Sequence, residues 1–493
     1  MTPQRYHKNN LILPAIPLIP LNVAVTYLKT LIQAGSTKIT DLFNILAVPK
    51  PSAQSLAIFC LACLLATPYL GVVSHNEAPA LAKNDYSPLI VQASNNYLLI
   101  PMDAKQGNHL KAYGVTYYAL SRGLEGKWLL GYRGGSFLLP FSEEIRLRAT
   151  KFEVDYEIIT TSAYVAIRTT ILEKNMAEVD IKKAPRVAIY TPPNINPWAD
   201  AVTLALTYAE IPYDTVYDSE VLAGKLSDYD WLHLHHEDFT GQFSKFWANY
   251  RSQEWFKEHI ASFRREAAKA GYSSVHQHKK AVARGIRDAV ESGLFLFAMC
   301  TATETIDISL ATQNTDIVSQ EIDGTPLDNN WPKRLDYTQT FAFEDFYLET
   351  SPYVNSFSDI DFNQVNNAAK RKEVSDFILF EFSAKIDPIP TLLTQNHNNR
   401  ISGFYGQTTS FHTNYIKEGV TVLAYSLNDS ARYITGKYGK GNFTFYGGHD
   451  PEDKHHYVGD QAPNMEFYKN SPGYRLILNN ILFPSAKPPK KKT

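Results

Sequence analysis

Apolar positions along this chain come in short blocks that close on polar or turn residues and alternate with stretches of helical spacing. The block "NYLLIPMD" (96–103) precedes "GNHLKAYGVTYYALSRG" (107–123), which has helical spacing and a glycine stop, and the extended "KWLLGYRGGSFLLP" (127–140) follows. The same order returns in "RVAIYTPP" (186–193), "WADAVTLALTYAEIP" (198–212) and "YDTVYDSEVL" (213–222), and "YDWLHLHHEDF" (229–239) adds another apolar strand. Repeated strand, helix and strand predict an α/β fold on a mostly parallel, doubly wound sheet, because parallel strands need crossover helices to return the chain. The two passages read as an internal duplication of one strand-helix-strand unit.

Between them, residues 142–185 are rich in β-branched positions and read as a strand-like joint. Two helical stretches, "QEWFKEHIASFRREAAKAG" (253–271) and "HKKAVARGIRDAVESG" (278–293), lead through Gly293 into the apolar run Leu294–Met299. From about 312 to 400 the chain is polar and turn-rich, as a large insertion or lid would be, and the α/β pattern closes with "VTVLAYSLN", "NFTFYGGHDPED" and a C-terminal helix in "SPGYRLILNNILFP". The expected organisation is a leader 1–82, an N-terminal α/β half 83–185, a core 186–311, an insertion 312–419, the rest of the core 420–484 and a solvated basic tail 485–493.

The leader contains "SLAIFCLACLLATPYLGVVS" (55–74), an uncharged run of secretory or membrane-anchor character, and Ala80-Leu81-Ala82 ahead of Lys83 has the small-residue pattern of a cleavage site. If translation starts near Val48, the product opens with an ordinary signal peptide. The expectation is export to the periplasm or anchoring that faces it, with membrane contact only through the uncleaved segment. Composition adds one exclusion. With 44% hydrophobic residues, 20% charged and a net charge of −2, the chain has no basic excess of the kind nucleic acid attracts.

Chemistry enters at "FAMCTATETIDISLA" (297–311), where Cys300 sits between a strand and a helix with Ala298 and Ala302 on either side. A strand–Cys–helix junction with small neighbours has the geometry of a nucleophile elbow, and a helix N-terminus favours the thiolate. A second strand end, "GGHDPED" (447–453), carries His449, Asp450 and Glu452. An activated thiol needs a base within reach and the imidazole needs a carboxylate to orient it. Cys300, His449 and Glu452 supply those roles, with Thr301 and the loop "EDFTGQ", Gly241 included, as sources of oxyanion-hole donors.

The order strand–Cys–helix and, much later, strand–His–Pro–Glu resembles the class I glutamine amidotransferases. That resemblance implies a flavodoxin-like core with Cys300 as nucleophile, His449 as base and Glu452 as its partner. Here the elbow reads Ala298-Met299-Cys300-Thr301-Ala302 in place of Gly-x-Cys-x-Gly, and Asp450 lengthens the His–Pro–Glu spacing by one. Over nearly all of the mature chain, "LIPMDAKQGNHLKAYGVTYYAL", "YRGGSFL", "DWLHLHHEDFTGQ", "MCTATETIDI" and "GGHDPED" are similar to bacterial proteins labelled asparagine synthetase B. The ATP loop Ser-Gly-Gly-x-Asp-Ser of glutamine-dependent asparagine synthetases is missing from this sequence.

"WLHLHHEDF" places His233 and His235 on one strand face, with His236, Glu237 and Asp238 at its end. The residues suit a wall of the cleft that Cys300 enters; the alternative is a metal site on His233 and His235. No Walker loop, dinucleotide fingerprint or HExxH helix is present, so no cofactor is implied. The leading expectation is a thiol hydrolase of an amide or related acyl bond, with a small amide or peptide as substrate. Its alternatives are a non-catalytic envelope scaffold on the same fold, an asparagine synthetase and a metal-dependent hydrolase.

Overall fold

The computed structural model describes residues 95–192, 200–362, 376–402, 408–427, 429–452 and 462–487, all of them within Ala80–Thr493, one of the two units into which the chain divides. The expected leader 1–82 and the tail from 488 onward lie outside the described residues. No helix among the described residues is long and apolar enough to cross a membrane.

Strand β1 (Asn96–Ile100) leads into helix α1 (His109–Ser121), whose first turn is capped by the Asn108 side chain accepting from the Lys111 N–H at 3.1 Å. Strands β2 (Gly126–Leu130) and β3 (Ser136–Pro140) are joined by a turn in which Gly131, Arg133, Gly134 and Gly135 all take positive φ. Helix α2 (Glu143–Lys151), β4 (Glu157–Thr160), α3 (Thr161–Glu173) and β5 (Ala177–Ile181) complete this half.

The next half runs β6 (Val187–Tyr190), α4 (Ala201–Ala209), β7 (Asp214–Val216), α5 (Asp218–Leu222), β8 (Trp231–Leu234), α6 (Glu254–Lys269), α7 (Val275–Ser292), β9 (Phe295–Met299) and α8 (Ala302–Ala311). The segment read as an insertion carries β10 (Phe377–Leu379), α9 (Pro388–Thr394) and β11 (Arg400–Ile401). Then come β12 (Thr421–Ser426), β13 (Ala431–Tyr438), β14 (Gly441–Tyr446), α10 (Pro472–Leu482) and β15 (Ala486–Lys487).

These strands form two sheets. The first has the order β15-β5-β2-β3-β1-β4 and is antiparallel at every pairing. The second has the order β11-β10-β12-β13-β14-β9-β8-β6-β7; its run from β14 to β7 is parallel and its run from β11 to β14 antiparallel.

This corrects the mostly parallel, doubly wound, flavodoxin-like sheet and the duplication expected from the sequence. The reason lies in two turns. The glycine-rich corner 131–135 reverses the chain inside what reads as one extended run, so β3 slots antiparallel between β1 and β2. Between β13 and β14 only Gly439 and Lys440 separate the paired Tyr438 and Gly441, and so short a link makes a hairpin, never a crossover. The joint 142–185 also differs, holding α2 and α3 alongside two strands.

Alternate residues of each strand belong to different cores, as the strand period of two requires. Leu98, Ile100 and Trp128 from the first sheet share a core with Val187, Ile189, Phe295 and Phe297 of the second, and α1, α4 and α10 lie between. Leu99, Leu129 and Leu138 face the other way, onto Tyr164, Ile167 and Ile171 of α3. Ala188, Leu232, Leu296 and Ala298 face α7 and α8. Gly114 sets how closely α1 approaches α4: a Cβ there would lie 1.9 Å from the Ala209 carbonyl oxygen. Gly114→Ala is therefore expected to destabilise the fold by about 2 kcal/mol through helix displacement, despite alanine's better helix propensity. A urea midpoint unchanged within error would show that the helices part without cost.

Candidate functional site

In the parallel part of the second sheet, β8, β9 and β14 lie side by side and end on the same rim. Their register pairs Leu234 with Ala298 and Met299 with Tyr446, so the next residues of each strand emerge together. From β8 come His235 and His236, from β9 comes Cys300, and from β14 comes the Gly447-Gly448 corner with His449. Reactive groups collect at such strand ends because helix N-termini and loop N–H groups converge there.

Cys300 has φ +49°, a left-handed conformation that a non-glycine residue adopts only under constraint from its surroundings. Three hydrogen bonds supply that constraint. The Cys300 N–H donates to the Gly448 carbonyl at 3.1 Å, the Ala302 N–H donates to the His235 carbonyl at 3.0 Å, and the Cys300 carbonyl accepts from the Thr303 hydroxyl at 2.7 Å. The elbow is thus tied to β14 on one side and β8 on the other. Cys300 is a buried thiol outside any disulfide, and α8 begins two residues later. Among the described residues no backbone carbonyl accepts from the Thr301 N–H, the donor that follows the thiol.

Gly448 is itself held by an N–H donated to the Thr408 carbonyl at 2.8 Å, and Gly447 by one donated to the Arg432 carbonyl at 2.7 Å. A Cβ on Gly447 would stand 2.4 Å from the Thr409 carbonyl oxygen, so the chain passes too close here for any side chain. His449 is buried, and its Nδ1 lies 2.6 Å from Asp450 Oδ2. Asp450 thus brings a carboxylate against this imidazole. Glu452 sits two residues on at φ +67° and bears electrostatically on Tyr446.

The β8 residues divide by role. His233 is fully buried, with Nδ1 3.1 Å from the Phe297 carbonyl and Nε2 2.9 Å from Asp200 Oδ2; with Asp200 and His235 it brings three donor atoms within 4.8 Å of one another, a grouping in keeping with the metal alternative on His233 and His235. His235 is buried beside it. Its Nδ1 is 3.0 Å from the same Asp200 oxygen, close in distance but off the hydrogen-bond line, and its Nε2 has no hydrogen-bond partner among the described residues. Burial pushes its pKa down against the pull of Asp200. Burial would raise Asp200 in turn, yet His233 and His235 hold it well below the ordinary carboxylate range.

His236 is exposed, with its ring 3.7 Å from that of His235 and 4.2 Å from that of His449. Glu237 turns toward a different group: burial lifts it to about 7, Lys279 opposes the shift, and Asp218 and Asp238 add to it. Asp238 closes its own loop, accepting from the Thr240 and Ser244 N–H groups at 2.7 Å each. Gly241, expected near the oxyanion, is packed instead on the start of α7, where its Cβ would meet His276 at 2.9 Å. Arg133 of the "YRGG" turn is taken up by Asp103 at 2.9 Å and Glu157 at 2.6 Å.

Two supporting residues escape a reading of motifs. Asp200 caps α4, its Oδ1 accepting from the Val202 N–H at 2.6 Å while its Oδ2 serves both histidines. Glu304, in the first turn of α8, accepts from the Ser358 hydroxyl at 2.5 Å and the Thr408 hydroxyl at 3.0 Å, linking the elbow's helix to the segment that holds Gly448. Burial, with Asp361 nearby, raises Glu304 to about 8. A capping Asp before "AVTLAL" was visible in the sequence; nothing local marked Glu304.

No protein-family model and no curated protein sequence matches the chain. Among solved structures it is similar to a cytoplasmic protein from Salmonella typhimurium, at 9% identity and a TM-score of 0.29 over 60% of this chain and 97% of that one. A second cytoplasmic protein, from Salmonella typhimurium LT2, aligns at 12% identity and a TM-score of 0.30, over 61% of this chain and 100% of its own. A β-galactosidase from Bacillus circulans sp. alkalophilus aligns at 12% and 0.26, over 62% of this chain and 32% of its own. Superpositions that loose decide neither fold nor chemistry.

Proposed function

We propose that this protein is a thiol hydrolase of an amide or related acyl bond, of class I glutamine amidotransferase-like chemistry, with Cys300 as nucleophile, His449 as base and Asp450 as the orienting carboxylate. One observation carries the reading: Cys300 stands in a left-handed elbow whose N–H is bonded to the carbonyl of Gly448, the residue before His449, whose Nδ1 is in turn 2.6 Å from Asp450. In this reading His449 takes the thiol proton, and sulfur attacks the carbonyl carbon. The oxyanion forms against the Thr301 N–H, and His449 returns the proton to the leaving amine. Water then attacks the thioester, with His449 again as base, releasing the acid and restoring the thiol.

The apolar run 55–74 ahead of Ala80-Leu81-Ala82 supports an exported protein that acts on small amides or peptides. The test is ammonia release from glutamine, asparagine and a panel of peptide amides, with Cys300→Ser as comparison. The parent is expected to release ammonia from at least one member of the panel and the variant from none. Equal release by both would remove Cys300 from the chemistry.

A further inference from the structure

The rings of His235, His236 and His449 meet across the strand end that carries Cys300, and one donor nitrogen from each lies within 4.8 Å of the other two. The pairs of ring centroids are 3.7, 4.2 and 4.5 Å apart. Zinc holds imidazole nitrogens at about 2.0–2.1 Å in a tetrahedron, with donors separated by roughly 3.4 Å; the His235 and His236 rings are stacked at 17°, so binding requires one of them, the exposed His236, to turn until its in-plane lone pair points to the shared ion.

Further features fit a metal and not mere packing. The buried Nε2 of His235 has no hydrogen-bond partner among the described residues, an atom that a buried structural histidine normally satisfies. Carboxylates stand close to two of the three rings: Asp450 Oδ2 is 2.6 Å from His449 Nδ1, the kind of contact that orients a metal-bound imidazole, and Asp200 Oδ2 is 3.0 Å from His235 Nδ1, though off the hydrogen-bond line. His236, the exposed member, gives an ion a route in. His233 belongs to a neighbouring group with Asp200 and His235, set deeper in the sheet and away from the exposed His236.

We propose that His235, His236 and His449 form a binding site for a zinc-like divalent ion, and that its occupation switches off the thiol by taking away its base. This rests on the role of His449 under the proposed function. Metal coordination and proton abstraction draw on the same imidazole, so the two states exclude each other. Three protein donors leave the ion a fourth position for water.

The experiment uses the full chain, freed of metal by chelator and titrated calorimetrically with zinc sulfate, with modification of Cys300 by iodoacetamide followed by peptide mass. One zinc per chain is expected, with His236→Ala weakening it tenfold or more and Cys300→Ala binding as the parent does. One equivalent of zinc is expected to slow alkylation of Cys300 at least tenfold, and chelator to restore it. Absence of saturable binding, binding indifferent to His236→Ala, loss of binding in Cys300→Ala, or a bound ion that leaves alkylation unchanged would each overturn the proposal. Slow alkylation in chelator alone would count against the thiol reading, while the titration would still decide the metal.

Discussion

Asp450→Asn is expected to lower turnover of a hydrolysed amide on the order of a thousandfold, while Glu452→Gln stays within about threefold of the parent. The asymmetry follows from contact. Asp450 Oδ2 lies 2.6 Å from His449 Nδ1, and a carboxamide there no longer fixes the tautomer in which Nε2 carries the lone pair. Glu452 bears on Tyr446, and its charge is expected to matter little. A readout that needs no substrate is alkylation of Cys300. An ordinary thiol is only about 3% ionised at pH 7, so if His449 accepts its proton, His449→Ala should slow the reaction about thirtyfold there and much less at pH 9. Should Glu452→Gln prove the damaging change and Asp450→Asn the silent one, the carboxylate assignment would be reversed; equal alkylation with and without His449 would dismantle the pairing altogether.

How much of this was legible in the sequence differs from residue to residue. The placement of Cys300 and His449 at neighbouring strand ends was, because each follows an apolar strand directly and the turn chemistry at Ala298–Ala302 and Gly447-Gly448 is local. The contact of His449 with Asp450 was not. Counting to Glu452 follows a family spacing, whereas the contact is made by the adjacent Asp450 as the chain leaves the glycine corner. Gly241 went astray for a similar reason: its loop does follow β8, but Asp238 closes that loop onto Thr240 and Ser244 and turns it toward α7.

At the level of the sheet, strand positions read well and directions did not. Alternation of apolar blocks with helices is the same whether a third strand inserts antiparallel, as β3 does, or a crossover follows. What decides is turn geometry at Gly131–Gly135 and at Gly439, and positive φ is only hinted at by composition. The parallel run from β14 to β7, where crossovers do exist, is the part that builds the site.

The other large effect expected lies on the same rim, two strands from Cys300. Lys279 of α7 is fully buried, with Nζ 3.0 Å from both oxygens of Asp218, 3.0 Å from the Tyr190 hydroxyl and 4.7 Å from the Tyr217 ring centre. Burial works against its charge, but Asp218 together with Tyr217 and Glu237 more than offsets that and keeps it protonated. Lys279→Met preserves the volume and removes the cation from these contacts, stranding Asp218 and Glu237 in a site of low dielectric. Breaking such a pair from one side typically costs about 3–5 kcal/mol. Replacing both partners, Lys279→Met with Asp218→Asn, removes the orphan charge along with its mate and should recover a large part of that loss. Urea midpoints for the parent, the two single variants and the double variant measure the coupling directly. Strictly additive losses would mean that water reaches Asp218 once the ammonium is gone. Strong coupling would mean instead that α7 is clamped onto the ends of β6 and β7 by this one ion pair, on the same rim that holds the elbow of Cys300.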